Sequence, residues 1–293
     1  MSFVVMTDTS ANLPTALSRR LDIGILPFSY YINDVSHHVS DTAEFHGDDF
    51  YNMIRAGLVV NTSLIPPQTY AEYFEPVLKE GKDILFVGMS SGISGSLNSA
   101  RIAAADLMEH YAGGTIEIVD ALGASLGEGL HAVRAAKMRD EGFSLAETAE
   151  ALRVHVQQMF QVFTVDDLGH LRRTGRLSNI SALVGTVLHI KPLLLGNPEG
   201  KIIAFAKIRG RKRSIQAMAE HYNRLVIEPE KQIVGIAQAG CREESLYLES
   251  LIRAEKPPME ILNVEYEPVT GSHVGPGALA LFFEGVVGVR EMV

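Results

Sequence analysis

Through the first half of the chain, short apolar runs rich in β-branched residues alternate with amphipathic stretches, and this alternation constrains the fold more than any other feature. When each strand is followed by a helix, the next strand returns parallel to the last, so the pattern predicts an α/β fold with a parallel sheet and crossover helices. Strands are expected at Phe3–Met6, Ile23–Pro27, Ile84–Val87 and Thr115–Val119. Helices are expected near Pro14–Leu21, Asp49–Ala56, Gln68–Lys79, Ser96–His110 and Ala124–Arg139.

The pattern changes near residue 160. Gln161–Val165 leads into a polar, arginine-bearing stretch and then the apolar run Ile190–Leu195. LLLGNPEGKIIAF reads as two strands around an Asn-Pro-Glu-Gly turn, a hairpin that brings in antiparallel pairing. A basic helix start (RGRKRSIQAMAEHY), a strand at Ile233–Ala237, a helix near Glu244–Arg253 and a strand at Ile261–Tyr266 complete the chain. At 293 residues the chain sits where single cores stop growing. Two α/β domains, with one cleft between two cores, are therefore expected: residues 1–160, mainly a parallel sheet with flanking helices, and residues 161–293, a mixed or antiparallel sheet with helices.

Hydrophobic residues make up 46% and charged residues 21%, a globular composition. The formal charge of -9 argues against a nucleic-acid partner, because polyanion affinity comes from clustered Lys and Arg releasing counterions. A single cysteine, Cys241, fits a reducing compartment. MSFVVMTDTSANLP has no basic n-region and reads as the start of the fold. The longest apolar stretch, Gly277 to Val287, is broken by glycine and Glu284, so stable membrane insertion is not expected and a cytoplasmic protein is.

The segment DILFVGMSSGISGSLNSAR is the most informative for function. A strand running into a Ser/Gly turn that opens a helix is an anion-site layout: first-turn N–H groups and the helix dipole favour negative charge, and Ser91, Ser94 and Ser96 supply hydroxyls. Ser94 or Ser96 could equally serve as a helix cap. The same segment matches G-x-S-x-G at Gly88, Ser90 and Gly92, and with Asp120 or Asp166 and then His273 it offers the order of a hydrolase triad. In NTSLIPPQTY, Thr62 and Ser63 precede a helix as cap acceptors or ligand donors, and in GSHVGPGALALFF, His273 sits in a Gly/Pro turn ahead of an apolar run. His37, His38, Asp41, Glu44, His46, Asp48 and Asp49 crowd one stretch but follow no metal spacing, and read as a solvated hairpin leading to a helix start. Arg172, Arg173 and Arg176, with Lys207, Arg209, Arg211, Lys212 and Arg213, form basic clusters that are solvated or, if they meet, could engage phosphate or an acidic partner.

MTDTSANLP, NTSLIPP, SSGISGSLNSAR, LRRTGRLSNISALVGTVLHIKPLL, KIRGRKRSI and HVGPGALAL occur in an order that resembles, nearly end to end, the DegV family of bacterial fatty-acid-binding proteins. The resemblance implies one long-chain fatty acid, such as palmitate, stearate or oleate, in a buried inter-domain tunnel. Its carboxylate would be held by Thr62, Ser63, Ser94, Gly95 and His273. It further implies that the protein is no enzyme, needs no cofactor or metal, and presents the carboxylate to a fatty acid kinase, with Arg176 and Arg209 at the docking or phosphoryl-transfer surface. The alternative is a serine esterase using Ser90 and His273. Leu64 stands where the family usually has Gln, Thr174 where its glycine pair begins, and Gly169 and His170 replace larger or aromatic residues.

Physical chemistry suits this expectation. Each methylene removed from water contributes about 0.8 kcal/mol, so tail burial supplies most of the affinity. The head group then needs hydrogen-bond donors to offset its desolvation. Apart from Arg101 at the far end of SSGISGSLNSAR, no arginine lies in the serine, threonine or histidine motifs, which leaves that task to neutral donors.

Overall fold

A computed structural model describes residues 3–39, 41–111, 113–178 and 190–292. The stretch SNISALVGTVLHI, part of the family resemblance, falls mostly outside them. The chain divides into two compact units, Met1–Phe45 with Asn61–Val156, and His46–Val60 with Gln157–Val293.

The first unit opens with β1 (Phe3–Asp8), a 3-10 turn at Thr9–Ala11, α1 (Thr15–Arg20), β2 (Ile23–Leu26) and the hairpin β3 (Tyr30–Ile32) and β4 (Val35–His37). Next in the chain come α2 (Gly47–Arg55), which belongs to the second unit, and β5 (Val60–Thr62), which joins β3 and β4 in a small three-stranded sheet. The alternation then resumes with α3 (Pro67–Lys79), β6 (Asp83–Gly88), α4 (Ser96–His110), β7 (Ile116–Asp120), α5 (Leu126–Asp140) and α6 (Leu145–His155). Strands pair in the order β2-β1-β6-β7, all parallel, as a strand-helix alternation requires. Parallel strands covered on both faces are apolar throughout, and Ile84, Leu85, Phe86 and Val87 of β6 are fully buried. On one face Tyr70 and Phe74 of α3 pack around Phe86 with ring centroids 5.3 and 5.7 Å away.

The second unit holds β8 (Met159–Thr164), α7 (Gly169–Arg173), β9 (Ile190–Gly196), β10 (Ile202–Arg209), α8 (Arg211–Leu225), β11 (Ile233–Gln238), α9 (Arg242–Glu255), β12 (Glu260–Glu265), α10 (Pro268–Val274) and β13 (Leu279–Glu284). Its sheet runs β10-β9-β8-β13-β11-β12, antiparallel except for the β11–β12 pair. The expected hairpin is β9–β10: Asn197 N–H donates to the Lys201 carbonyl at 2.9 Å, and Gly200 takes the positive φ (+71°) that the turn needs. Phe160, Leu193, Ile236, Leu281 and Phe283 of the sheet meet Met218, Tyr222, Leu248 and Ile252 of α8 and α9 in one core.

Helix α2 joins this unit through contacts no local pattern announces. Tyr51 is fully buried and donates its phenol to the Tyr266 carbonyl at 2.5 Å, while Arg55 donates to the Gly240 carbonyl at 2.6 Å. Among the described residues no helix is long and apolar enough to cross a membrane.

Candidate functional site

In the first unit the chain leaves β1 for β2 on one side and later returns to β6 on the other. Connections thus part between β1 and β6, and the crevice at the carboxyl ends of such strands is where open α/β sheets bind ligands. The turn Thr9–Asn12 and the loop Met89–Gly95 flank it.

The Met89–Gly95 loop folds on its own serines. Ser90 accepts the Gly92 N–H on its Oγ at 3.1 Å, and its carbonyl accepts from Ile93 and Ser94. Ser94 Oγ accepts the first-turn N–H of Ser96 at 3.2 Å and donates to Ser96 Oγ at 3.0 Å. Ser96 Oγ in turn accepts the Ile65 N–H at 3.1 Å, which draws the Thr62–Ile65 loop onto the start of α4. Leu64 lies so near Gly95 that a Cβ there would stand 3.3 Å from Leu64 Cδ2. Ser63 N–H bonds the Ser29 carbonyl at 3.4 Å and its hydroxyl lies 3.5 Å from the Tyr31 phenol. Thr62, Ser63, Ser94 and Gly95 therefore come from two loops that touch. Ser94, half-buried, has a lone pair occupied by a backbone N–H, so its rotatable proton can turn to an incoming anion.

Beneath the crevice, at the end of β1, lies an acid pair that sequence reading passed over. Asp8 and Glu128 are both fully buried. Ser10 Oγ is 2.5 Å from Asp8 Oδ1 and 2.7 Å from Glu128 Oε2, while Thr7 donates to Glu128 Oε1 at 2.8 Å. A hydroxyl has one proton and can donate to only one of the two carboxylates. The second short contact needs a proton on a carboxyl group. Burial raises both acids above the ordinary carboxylate range, Glu128 more strongly because Asp8 adds its charge. The consistent arrangement is Glu128 protonated, donating to Ser10, which donates to ionised Asp8.

The G-x-S-x-G reading finds no support. A nucleophile elbow exposes its serine on a strained turn. Ser90 is fully buried and is not among the residues with positive φ, and Asp120 is engaged by the Ser91 hydroxyl at 2.5 Å and the Leu122 N–H at 3.0 Å.

In the second unit His273 lies in the last turn of α10, half-buried. Burial, and then the charge of Arg176, push its imidazole down to about 4, so it is neutral at neutral pH. The charge of an arginine thus acts on the histidine motif although none lies within it. Arg176 itself is fixed by donation to the Thr174 carbonyl. Arg209 is exposed at the end of β10, whereas Leu177 bridges to Ile202 at its start, so the backbones of Arg176 and Arg209 lie roughly 20 Å apart along the strand. Arg211 is internal: it donates to Glu244 at 2.5 Å and to the Gly277 carbonyl at 2.7 Å, with Asp166 at 3.9 Å. Of the histidine- and acid-rich stretch, Asp41 pairs with Arg19 at 3.0 Å, and Asp48 and Asp49 occupy the first turn of α2. Among the described residues no three His, Cys, Asp or Glu side chains gather as a metal site would require.

A family model described as an uncharacterised protein of the DegV family matches residues 2–285. The chain belongs to the DegV family. A DegV domain-containing protein of Clostridium perfringens is 36% identical over 283 residues, covering 97% of each chain. One from Streptococcus pyogenes is 32% identical over 97% of this chain and 99% of its own. Among solved structures, a DegV family protein from Thermus thermophilus described as fatty acid binding is similar with a TM-score of 0.88 and 26% identity, over 98% of this chain and 100% of that one. DegV of Bacillus subtilis, a fatty acid binding protein, matches with a TM-score of 0.86 and 26% identity over the same shares. The α/β fold, with one parallel and one mixed sheet, is that of these DegV structures.

Proposed function

We propose that this DegV protein binds one long-chain fatty acid, with its carboxylate met by Thr62, Ser63, Ser94 and Gly95 of the first unit and by His273 of the second, and its tail buried between the units. The observation that carries the reading is the meeting of the Thr62–Ile65 loop with Ser94–Ser96 at the carboxyl end of β6, in a chain similar throughout to DegV proteins described as fatty acid binding. Rotatable hydroxyls and a neutral imidazole suit a carboxylate because they donate without locking it in a tight ion pair. The bound acid is carried rather than turned over, and is presented to a fatty acid kinase that phosphorylates the carboxylate, with Arg176 and Arg209 at the docking or phosphoryl-transfer surface.

Solvent extraction of the purified protein followed by mass spectrometry tests the first step. A long-chain fatty acid in near-stoichiometric yield is expected, reduced in Ser94→Ala and His273→Ala. An empty extract from a protein that also takes up no added oleate would overturn the reading, and fluorophosphonate labelling of Ser90 would favour the esterase.

A further inference from the structure

Helix α7 reaches α10 through His170. Arg173 Nη2 lies 2.9 Å from His170 Nδ1, and a guanidinium can only donate, so Nδ1 is the acceptor. The proton of a neutral ring is then on Nε2, and the Ser272 backbone lies close enough to act on the ring. The residue after Ser272 is His273. The ring is also pressed flat on the turn that ends α10: a Cβ at Gly275 would stand 2.3 Å from His170 Cδ2 and 2.9 Å from Nε2. Gly275 has a φ of +78°, so glycine is demanded there by its backbone and by the ring together. Burial and the Arg173 charge lower the affinity of the ring for a second proton, with Asp167 opposing them, which agrees with the neutral tautomer. Three residues beyond Arg173, the same segment supplies Arg176, whose charge acts on His273.

We propose that His170 is a positioning residue for His273: held by Arg173 and lying on Gly275, its ring fixes the last turn of α10 and thereby the direction in which the His273 ring presents its donor. The consequence for ligand binding rests on the reading that His273 meets a fatty acid carboxylate. The consequence for the His273 ring does not.

The test compares His170→Phe, which keeps a ring against Gly275, with His170→Ala, which removes it. Two quantities are read on delipidated protein: oleate affinity, and the titration of the His273 ring by NMR. The Ala variant is expected to weaken oleate binding roughly tenfold. It should also move the His273 midpoint upward as that ring gains solvent, while the Phe variant retains the wild-type values of both. A His273 midpoint unchanged in the Ala variant overturns the proposal, as does a Phe variant that behaves like Ala. If the wild-type protein binds no oleate, the fatty acid reading fails, and the His273 midpoints alone decide the role of His170.

Discussion

The Tyr51 phenol donates to the Tyr266 carbonyl across a fully buried contact of 2.5 Å, and a Cβ at Gly271 would fall 2.1 Å from that same oxygen. One hydroxyl thus ties α2 to the end of β12 and dictates the glycine above it. Tyr51→Phe should cost about 1–3 kcal/mol, because the carbonyl loses its partner in a dry environment. Gly271→Ala overpacks the site and should cost a similar amount. The two should not add: with the phenol oxygen gone, alanine meets less obstruction, so a coupling energy of about 0.5–2 kcal/mol is expected from a denaturant double-mutant cycle. Strict additivity would contradict the contact.

Glu128→Gln tests the proton assigned to the buried acid pair. A glutamine amide reproduces a protonated glutamate, donating to Ser10 and accepting from Thr7, so stability at pH 7 should stay near that of the wild type or rise. Glu128→Ala removes both partners and leaves space, and should cost about 2–4 kcal/mol. Urea unfolding curves in which both variants are equally destabilised would mean that Glu128 is ionised.

Asp8 makes stability fall with pH. Burial raises its carboxyl from 3.8 to about 6, so between these values the folded state holds more proton than the unfolded chain. Its contribution is fully present below about pH 4 and is lost as pH rises through about 6. Asp8→Asn should flatten that part of the stability curve, by an amount on the order of a few kcal/mol across the window. An unaltered slope in chemical denaturation at pH 4, 5, 6 and 7 would refute the assignment.

His273 works in the opposite sense. Its folded value, about 4 against the ordinary 6.5, means that the unfolded chain binds the extra proton between these pH values, so stability rises with pH across them. The ring should titrate near pH 4 in an NMR experiment. Arg176→Gln should raise that midpoint only part of the way to 6.5, since burial is the larger cause. A full return to 6.5 would make Arg176 the dominant influence.

Much of the first unit was legible because a buried parallel strand carries its own signal: the runs at β1, β6 and β7 are apolar and β-branched, and the glycine and serines after β6 mark the turn that opens α4. Helix α6 had a signal that went unused, the Ser144 and Glu147 capping box, in which each side chain caps the backbone of the other. Other features had none. The partnership of Arg176 with His273, and of Asp8 with Glu128, joins residues remote in sequence, and only the folded topology brings them together. Arg211 looked like its solvated basic neighbours, yet Glu244 and Asp166 take it inside, a distinction that depends on which side of α8 faces α9.

The assignment of α2 to the second unit has a consequence for synthesis of the chain. Phe50, Tyr51 and Ile54 emerge from the ribosome about 200 residues ahead of Glu265, Tyr266 and Gly271, a delay on the order of ten seconds or more at ordinary elongation rates. For that interval the apolar face of α2, Phe50, Tyr51 and Ile54, has no native surface to cover it, which makes this helix a segment where a holding chaperone would be useful.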